Sequence, residues 1–230
     1  RQFPPRERGV APRARGEGMG AGLDRAPVVA GRDHHRVDPV HDPLVMRGGA
    51  VGVDNGQRAG LDHAARDLGA FHVFVNIPEF KARLVRDGRE VYETRVVVGK
   101  PANQTPVFSD EMDHLIVNPY WNVPYSIATK EYLPKLRKNP GVLSSQNIRL
   151  FEGGTEISPS QIAWSSYSPA NFPFKLRQDP GNKNALGRIK FMFPNKFNIY
   201  IHDTPAKSLF NKAQRSFSHG CIRVSDPFTL

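Results

Sequence analysis

The residues best suited to covalent chemistry lie near the end of the sequence, where a cysteine follows a histidine and a glycine. Cys221 is the single cysteine of the chain, His219 and Gly220 come directly before it, and a second histidine, His202, lies upstream. A thiol attacks a carbonyl carbon as the thiolate, so it needs a nearby group that accepts its proton. The sequence therefore predicts a cysteine nucleophile with two histidines as candidate bases.

Gly220 adds a feature that acyl transfer also requires. Because glycine has no Cβ, the backbone here can turn tightly and come close to a substrate. The successive N–H groups of Gly220 and Cys221 are candidate donors to the oxyanion that forms when a carbonyl is attacked. A lone cysteine excludes an intramolecular disulfide, so Cys221 is either an inert buried thiol or a reactive one.

Segments rich in β-branched and aromatic side chains surround this motif and predict the strands that position it. They are residues 71–77, 80–86, 90–98, 188–193 and 197–201. Asp87-Gly88 predicts a tight hairpin turn between the second and third of them, and a short helix is expected at residues 206–215. With these elements, His202 follows the end of a strand and Cys221 lies at a junction between a loop and a strand.

The middle of the chain, at about residues 119–186, has a different composition. Prolines recur throughout it, with tryptophan, tyrosine and phenylalanine residues between them. A helical stretch is predicted from Ser126, a candidate N-cap, to Lys138, although Pro134 must bend or shorten it. The segment is predicted to be a long irregular insertion, which is either a lid over a binding surface or a packed linker.

Two short segments together resemble a known family signature. His202-Asp203-Thr204, followed after a spacer by Ser218-His219-Gly220-Cys221-Ile222-Arg223, resembles the signature of the L,D-transpeptidase (YkuD) catalytic domain. The resemblance extends from residue 73 to the end of the sequence. Within the family, the sequence is similar to the larger Gram-negative members, which insert a capping subdomain. It implies a mainly β (α+β) fold, a YkuD-like β-sandwich with short helices. The catalytic domain would then span residues 71–230, with the capping insertion at about 119–186.

The resemblance also implies a role for each residue of the motif. Cys221 is the nucleophile, and the upstream His202 is the catalytic base, oriented by the backbone carbonyl of Asp203. His219 is a cleft residue that tunes the thiolate or contacts the substrate. The residues implied to border the substrate or the oxyanion are Ser218, Gly220 and Arg223, and the Arg223 guanidinium is suited to bind a substrate carboxylate.

The implied reaction is acyl transfer on peptidoglycan stem peptides. Cys221 attacks the carbonyl that precedes the terminal D-alanine of a stem tetrapeptide, and the side-chain amine of diaminopimelate on another stem then forms a 3→3 cross-link. An outer-membrane lipoprotein or water would be the acceptor in related reactions. No metal or organic cofactor is required, and the family resemblance places the protein in the periplasm or cell envelope.

Three other interpretations stay open at this level. A cysteine peptidase, acting as an L,D-carboxypeptidase on wall peptides, would use the same thiol and pass the acyl group to water. A zinc site built from His202, Asp203, His219 and Cys221 would lack the usual ligand spacing and an obvious fourth ligand. A non-catalytic wall-binding module would instead use the basic surface and the aromatic insertion to hold an anionic polymer.

Charge and composition limit the remaining partners and the domain boundary. The net charge is +10, but the basic residues are scattered, which does not favour nucleic-acid binding, and no run is long and apolar enough to span a membrane. The sequence begins without the apolar stretch of a secretory signal. Residues 1–70 contain no Lys, Ile, Ser, Thr, Tyr or Trp, so we expect a low-complexity segment that is disordered or derives from an out-of-frame reading.

Overall fold

The strands follow from alternating side chains that place one face of each strand in a core. The structure is a computed structural model that describes residues 50–54 and 68–230. In chain order its strands are β1 (Ala50–Asp54), β2 (Phe71–Asn76), β3 (Lys81–Arg86), β4 (Arg89–Gly99), β5 (Phe108–Glu111), β6 (His114–Val117), β7 (Trp121–Asn122), β8 (Ile148–Glu152), β9 (Thr155–Ile157), β10 (Lys175–Gln178), β11 (Ile189–Met192), β12 (Ile201–His202), β13 (Ser216–Ser218) and β14 (Ile222–Val224).

The described strands form two sheets. The larger is a mixed sheet of ten strands in the order β5-β1-β2-β3-β4-β14-β12-β11-β6, with β13 paired to β4. Its central strands bury aliphatic side chains completely, among them Val75, Val96, Ile201, Ile222 and Val224. The smaller sheet has the order β7-β10-β8-β9. The prediction of a mainly β fold with short helices is therefore confirmed.

The predicted hairpin is present between β3 and β4. Arg86 pairs with Arg89, which leaves Asp87 and Gly88 as the two residues of the turn. Both have positive φ, 49° and 72°, the backbone conformation that a two-residue hairpin of this type requires.

The strand predicted at residues 197–201 is shorter than expected. Only Ile201 and His202 belong to β12, and Asn198 has a φ of 55°. The Asn195 side chain accepts hydrogen bonds from the N–H groups of Phe197 and Ile199, so this stretch bonds to its own loop instead of a neighbouring strand. The helix predicted at residues 206–215 is likewise reduced to a 3-10 turn, Lys207–Asn211.

The insertion is more regular than predicted, because it contains the four-stranded sheet and its own apolar core. Leu133, Leu136, Leu143, Leu150 and Leu176 are almost completely buried in that core. An irregular structure was expected because prolines recur throughout this segment, but they lie outside the four short strands β7, β8, β9 and β10. The prediction of an irregular segment is therefore wrong, although the predicted boundaries enclose the sheet.

The helical stretch of the insertion begins two residues before the predicted position. Helix α1 (Tyr125–Ile127) follows Pro124, which occupies the N-cap position predicted for Ser126 and makes no side-chain cap hydrogen bond. A π turn (Ala128–Tyr132) then leads into α2 (Leu133–Lys138). Because proline crowds the carbonyl of the preceding turn, the wider π turn accommodates Pro134 without ending the helix.

The remaining helical elements are short. They are α3 (Val142–Ser145) and the 3-10 turns Pro101–Asn103, Pro159–Gln161 and Trp164–Ser166. No helix in the described ranges 50–54 and 68–230 has the length and hydrophobicity to cross a bilayer.

Most of the low-complexity segment predicted at residues 1–70 lies outside the described residues. Ala50–Asp54 is described, and it forms strand β1, parallel to β2 and antiparallel to β5. Val51 and Val53 have no exposed surface. The expectation of disorder is therefore wrong for these five residues, because two alternating valines are enough to fill a place in the core between existing strands.

Candidate active site

Strand alternation places the candidate functional residues on one face of the larger sheet. His202 on β12 is in register with Lys190 on β11 and with Arg223 on β14. Ile222 donates its N–H to the Tyr200 carbonyl at 3.0 Å, which continues the pairing beside Cys221. The opposite face carries the buried core residues Phe191, Ile201 and Ile222. We call the first face the site face, and it carries Lys190, Tyr200, His202, Cys221 and Arg223.

The backbone around Cys221 is held by two hydroxyl groups. The Ser218 hydroxyl donates to the Cys221 carbonyl at 2.6 Å and accepts the Gly220 N–H at 3.1 Å. The Thr105 hydroxyl donates to the Gly220 carbonyl at 2.7 Å. The Gly220 N–H is therefore already engaged, in contrast to the expectation that it faces an oxyanion. The Cys221 N–H has no partner among the described residues.

Gly220 is required at its position for a conformational reason. Its φ is 116°, a value that side-chain-bearing residues rarely adopt, and an added Cβ would lie 2.9 Å from Ile199 Cδ1. This conformation turns the chain from β13 into β14 and brings Cys221 to the site face.

The Cys221 thiol is protonated at rest. Burial raises its pKa above the ordinary value, and hydrogen bonds from the Tyr200 backbone and hydroxyl, together with the Lys190 and Arg223 charges, only partly oppose this effect. The thiol itself contacts the Asn198 carbonyl, with 3.9 Å between sulfur and oxygen. Reaction therefore requires a base that removes the proton as the sulfur attacks.

His202 has the properties of such a base. Its ring is buried, and Nδ1 lies 2.5 Å from the Asp203 carbonyl oxygen, as the resemblance implied. A carbonyl oxygen only accepts, so Nδ1 carries the hydrogen and Nε2 retains its lone pair. Burial, followed by the charges of Arg223 and Lys190, lowers the pKa of His202 to about 3, so the ring is neutral at physiological pH.

Asp203 fixes His202 through its own anchoring. Its buried carboxylate accepts the Arg188 N–H at 2.9 Å and an ion-pair hydrogen bond from Lys207 Nζ at 2.6 Å. Its backbone N–H donates to the Ile189 carbonyl at 2.9 Å. The Asp203 carbonyl that orients His202 is consequently held by three independent contacts.

His219 points toward the insertion. Its Nε2 lies 2.6 Å from Glu131 Oε1 on the π turn and 3.4 Å from Lys100 Nζ. Both the His219 and Glu131 side chains are about a third or more exposed, at 34% and 40%. The structure therefore gives His219 a bridging contact between the cysteine motif and the insertion.

Arg223 is a half-buried cation without an ion-pair partner among the described residues. Its Nε is buried and makes no hydrogen bond. Burial lowers the pKa of the guanidinium, and the nearby Cys221 and Tyr200 oppose that effect. An orphaned guanidinium on the site face fits the carboxylate-binding role that the resemblance implied.

Lys190, Tyr200 and Glu131 are residues of this region that sequence reasoning missed. Tyr200 lies two positions before His202, so strand alternation alone places it on the same face. Lys190 Nζ lies 3.9 Å from the centroid of the Tyr200 ring. Glu131 gave no comparable signal, because its contact with His219 joins positions far apart in the sequence.

The proposed zinc ligands do not form a metal-binding group. Among residues 50–54 and 68–230, no cluster of three His, Cys, Asp or Glu side chains is arranged to hold a metal ion. Asp203 directs its carboxylate to Arg188 and Lys207, and His219 binds Glu131.

The low pKa of His202 predicts a pH dependence of stability. The unfolded chain protonates this histidine near pH 6.5, whereas the folded protein does so only near pH 3. Between these values the unfolded state binds more protons, so the free energy of unfolding falls with decreasing pH, by about 3 kcal/mol from pH 7 to pH 4. Chemical denaturation at both pH values should show this loss in the wild type and a smaller loss in His202→Gln. A His72→Gln control should retain it, and equal losses in all three proteins would contradict the assignment.

Comparisons with known proteins identify the family of this chain. The family model of the YkuD L,D-transpeptidase catalytic domain matches residues 70–230. A Haemophilus influenzae protein named "Putative L,D-transpeptidase" is 39% identical over 157 residues, which cover 67% of this chain and 32% of that protein. The chain thus spans about a third of the length of this curated relative.

A solved structure, that of the Ldtfm-avibactam carbamoyl enzyme, also matches, with 15% identity and a TM-score of 0.28. The match covers 67% of this chain and 40% of that chain, and a TM-score this low supports no statement about fold or chemistry. The family match, by contrast, includes the whole site face and the segment from Ser218 to Arg223. The chain belongs to the YkuD family of L,D-transpeptidase catalytic domains.

Proposed function

We propose that this protein is a cysteine acyltransferase that forms 3→3 cross-links between peptidoglycan stem peptides. The observation that carries the proposal is the site face, where a neutral histidine with a fixed tautomer and an unpaired guanidinium lie on adjacent strands and the thiol directly precedes the second strand. The family membership supplies the substrate class. A role in the cell envelope, in the periplasm, belongs to the same proposal.

The first step begins from the neutral pair. As the Cys221 sulfur attacks the carbonyl carbon before the terminal D-alanine, His202 Nε2 takes the thiol proton, and the carbonyl oxygen becomes an oxyanion. The Cys221 N–H, which has no partner among the described residues, is the candidate donor to that oxyanion. The tetrahedral intermediate collapses to a thioester, and D-alanine leaves with the proton from His202.

The second step reverses these roles. The side-chain amine of diaminopimelate on another stem attacks the thioester carbon, and His202 accepts a proton from the amine. Cys221 leaves as a thiolate and is protonated again, which restores the resting site. A lipoprotein amine or water in place of the second stem would give anchoring or hydrolysis by the same chemistry.

The test is incubation of the purified protein with tetrapeptide-bearing muropeptides, followed by mass spectrometry of protein and products. We expect a Cys221 thioester with loss of D-alanine, and cross-linked dimers. Tripeptide without dimers would instead support an L,D-carboxypeptidase. Binding of muropeptides without any D-alanine release by folded protein would contradict an enzymatic role and support a wall-binding module.

The insertion has a proposed role as a cap beside this site. Glu131 on its π turn bonds Nε2 of His219, two residues before the nucleophile, and Lys100 Nζ lies near the same nitrogen. The insertion has its own buried core, so it can keep its shape while this contact breaks. The Glu131–His219 bond is therefore a candidate latch between the cap and the cysteine motif.

Removal of the latch should affect substrate binding more than stability. Glu131→Gln is expected to raise KM by up to about fivefold with little change in kcat, because an exposed polar contact of this kind contributes at most about 1 kcal/mol. The matched control is Glu156→Gln, which loses the same charge and an ion pair with Arg149 inside the insertion. Steady-state D-alanine release measures both constants. Equal KM values for the two variants would contradict the latch.

A further inference from the structure

A row of three basic side chains crosses the site face. Lys190, His202 and Arg223 are in register on the adjacent strands β11, β12 and β14, so the neutral histidine lies between two cations. Strand register places such side chains next to each other on the same side of a sheet. The function proposed above uses His202 and Arg223 and leaves Lys190 without a role.

Neither cation of this row has an acidic partner among the described residues. The recorded contact of Lys190 is the Tyr200 ring, 3.9 Å from Nζ to the centroid, and Arg223 Nε is buried without a hydrogen bond. The carboxylates of neighbouring segments are engaged elsewhere: Asp203 holds Lys207, Glu131 binds His219, and Asp226 accepts the Thr229 hydroxyl at 2.6 Å.

An arrangement of this kind is unfavourable in the free protein. Half-buried like charges repel each other and have lost part of their hydration, so both cations reduce stability unless an anion joins them. A ligand with a carboxylate at each side of the reacting carbonyl would supply that compensation. The proposed donor has such a geometry, because the scissile carbonyl lies between the side-chain carboxylate of diaminopimelate and the C-terminal carboxylate of D-alanine.

We propose that Lys190 is a specificity residue that binds one of these two donor carboxylates, while Arg223 binds the other across His202. This inference rests on the proposed transpeptidase function and extends it. Lys190 then selects donors by charge: a stem peptide that lacks its carboxylate leaves the ammonium unpaired and binds more weakly.

The test compares Lys190→Met with the wild type on three donors: the stem tetrapeptide, the same peptide amidated at the diaminopimelate side chain, and the same peptide amidated at the C-terminus. We expect KM for the unmodified donor to rise about 10-fold to 100-fold in Lys190→Met, the range for a lost hydrogen bond between charged groups. For one of the amidated donors, the KM values of Lys190→Met and the wild type should differ less than about threefold. The reason is that this donor already lacks the carboxylate that Lys190 binds.

Two further variants sharpen this test. Lys190→Arg keeps the charge and should recover most of the affinity for the unmodified donor. Lys135→Met is the matched control, since Lys135 also lies over a tyrosine ring, 5.3 Å from the Tyr132 centroid, but on the insertion. Lys190→Met is also expected to melt at the same temperature as the wild type or higher, because it removes an unpaired half-buried charge.

The outcomes separate this inference from the proposed function. A loss of equal size on all three donors, or one that lies in kcat alone, would contradict carboxylate recognition and leave the transpeptidase proposal intact. Failure of the wild type to release D-alanine from any donor would contradict the proposed function and the inference with it. A donor-dependent loss supports both.

Discussion

His202→Ala is expected to slow thioester formation at pH 7 by about 1,000-fold to 10,000-fold, the upper range for loss of a general base. The reason is electrostatic: burial keeps the Cys221 thiol protonated, and His202 is neutral at pH 7 because burial lowers the pKa of its ring to about 3. Reactions quenched at successive times and analysed by mass spectrometry of the protein measure the rate of thioester formation directly. Cys221→Ala is the negative control of the assay, because it lacks the attacking sulfur.

The pH dependence of this variant provides a second criterion. Without the imidazole, reaction depends on the small fraction of free thiolate, so the rate should rise about tenfold for each pH unit until the thiol pKa is reached. His72→Ala is the matched control, because His72 also bonds a backbone carbonyl through Nδ1, at 2.9 Å from Gly69 O, but lies on β2. More than a tenth of the wild-type rate at pH 7 in His202→Ala would show that another group accepts the proton.

The local parts of the fold and of this site could be predicted because they depend on residues close in sequence. The Asp87-Gly88 turn, the strand over Ile189–Met192 and the tight conformation of Gly220 all follow from backbone preferences of a few neighbouring residues. The pairing of Cys221 with an upstream histidine came from the family signature. Composition and periodicity alone left His219 and His202 as equal candidates for the base.

The parts that could not be predicted depend on strand register between distant segments. In the sequence, Lys190 is an ordinary charged residue of a strand. Only the pairing of β12 with both β11 and β14 places Lys190 in one row with His202 and Arg223. The same limitation concealed the small sheet, whose strands are two to five residues long, and strand β1, which joins β2 and β5 across a large part of the chain. Short strands carry too few alternating positions to reveal a pattern.

The contact between Glu131 and His219 is a further feature that could not be predicted from the sequence. The Glu131 side chain lies on a π turn. The pattern of polar and apolar residues does not predict which group a carboxylate on such a turn will contact. Only the packing of the insertion against the cysteine motif brings Glu131 within 2.6 Å of His219. Interactions of this type have to be observed, since they result from tertiary packing and not from a local preference.

A large loss of stability is expected from Gly187→Ala, because this glycine borders the residue that orients the base. Its φ is 63°, and an added Cβ would lie 2.3 to 2.5 Å from the carboxylate and Cβ atoms of Asp203. Asp203 cannot move freely, since its carboxylate is held by the Arg188 N–H and Lys207. We expect a loss of about 2 to 5 kcal/mol, from a left-handed backbone strain of about 1–2 kcal/mol and overpacking of about 1–3 kcal/mol.

Gly153→Ala separates the two contributions. Gly153 has nearly the same backbone angle, a φ of 58°, but an added Cβ there meets nothing within 4 Å. It should therefore lose only the backbone strain, about 1–2 kcal/mol, and retain wild-type activity. Gly187→Ala, where it folds, should also lose activity, because a displaced Asp203 carbonyl no longer holds the hydrogen on His202 Nδ1. Denaturant titration of both variants at pH 7 measures the difference in the free energy of unfolding. Equal losses in the two variants would show that Asp203 moves away from the added Cβ without loss of stability.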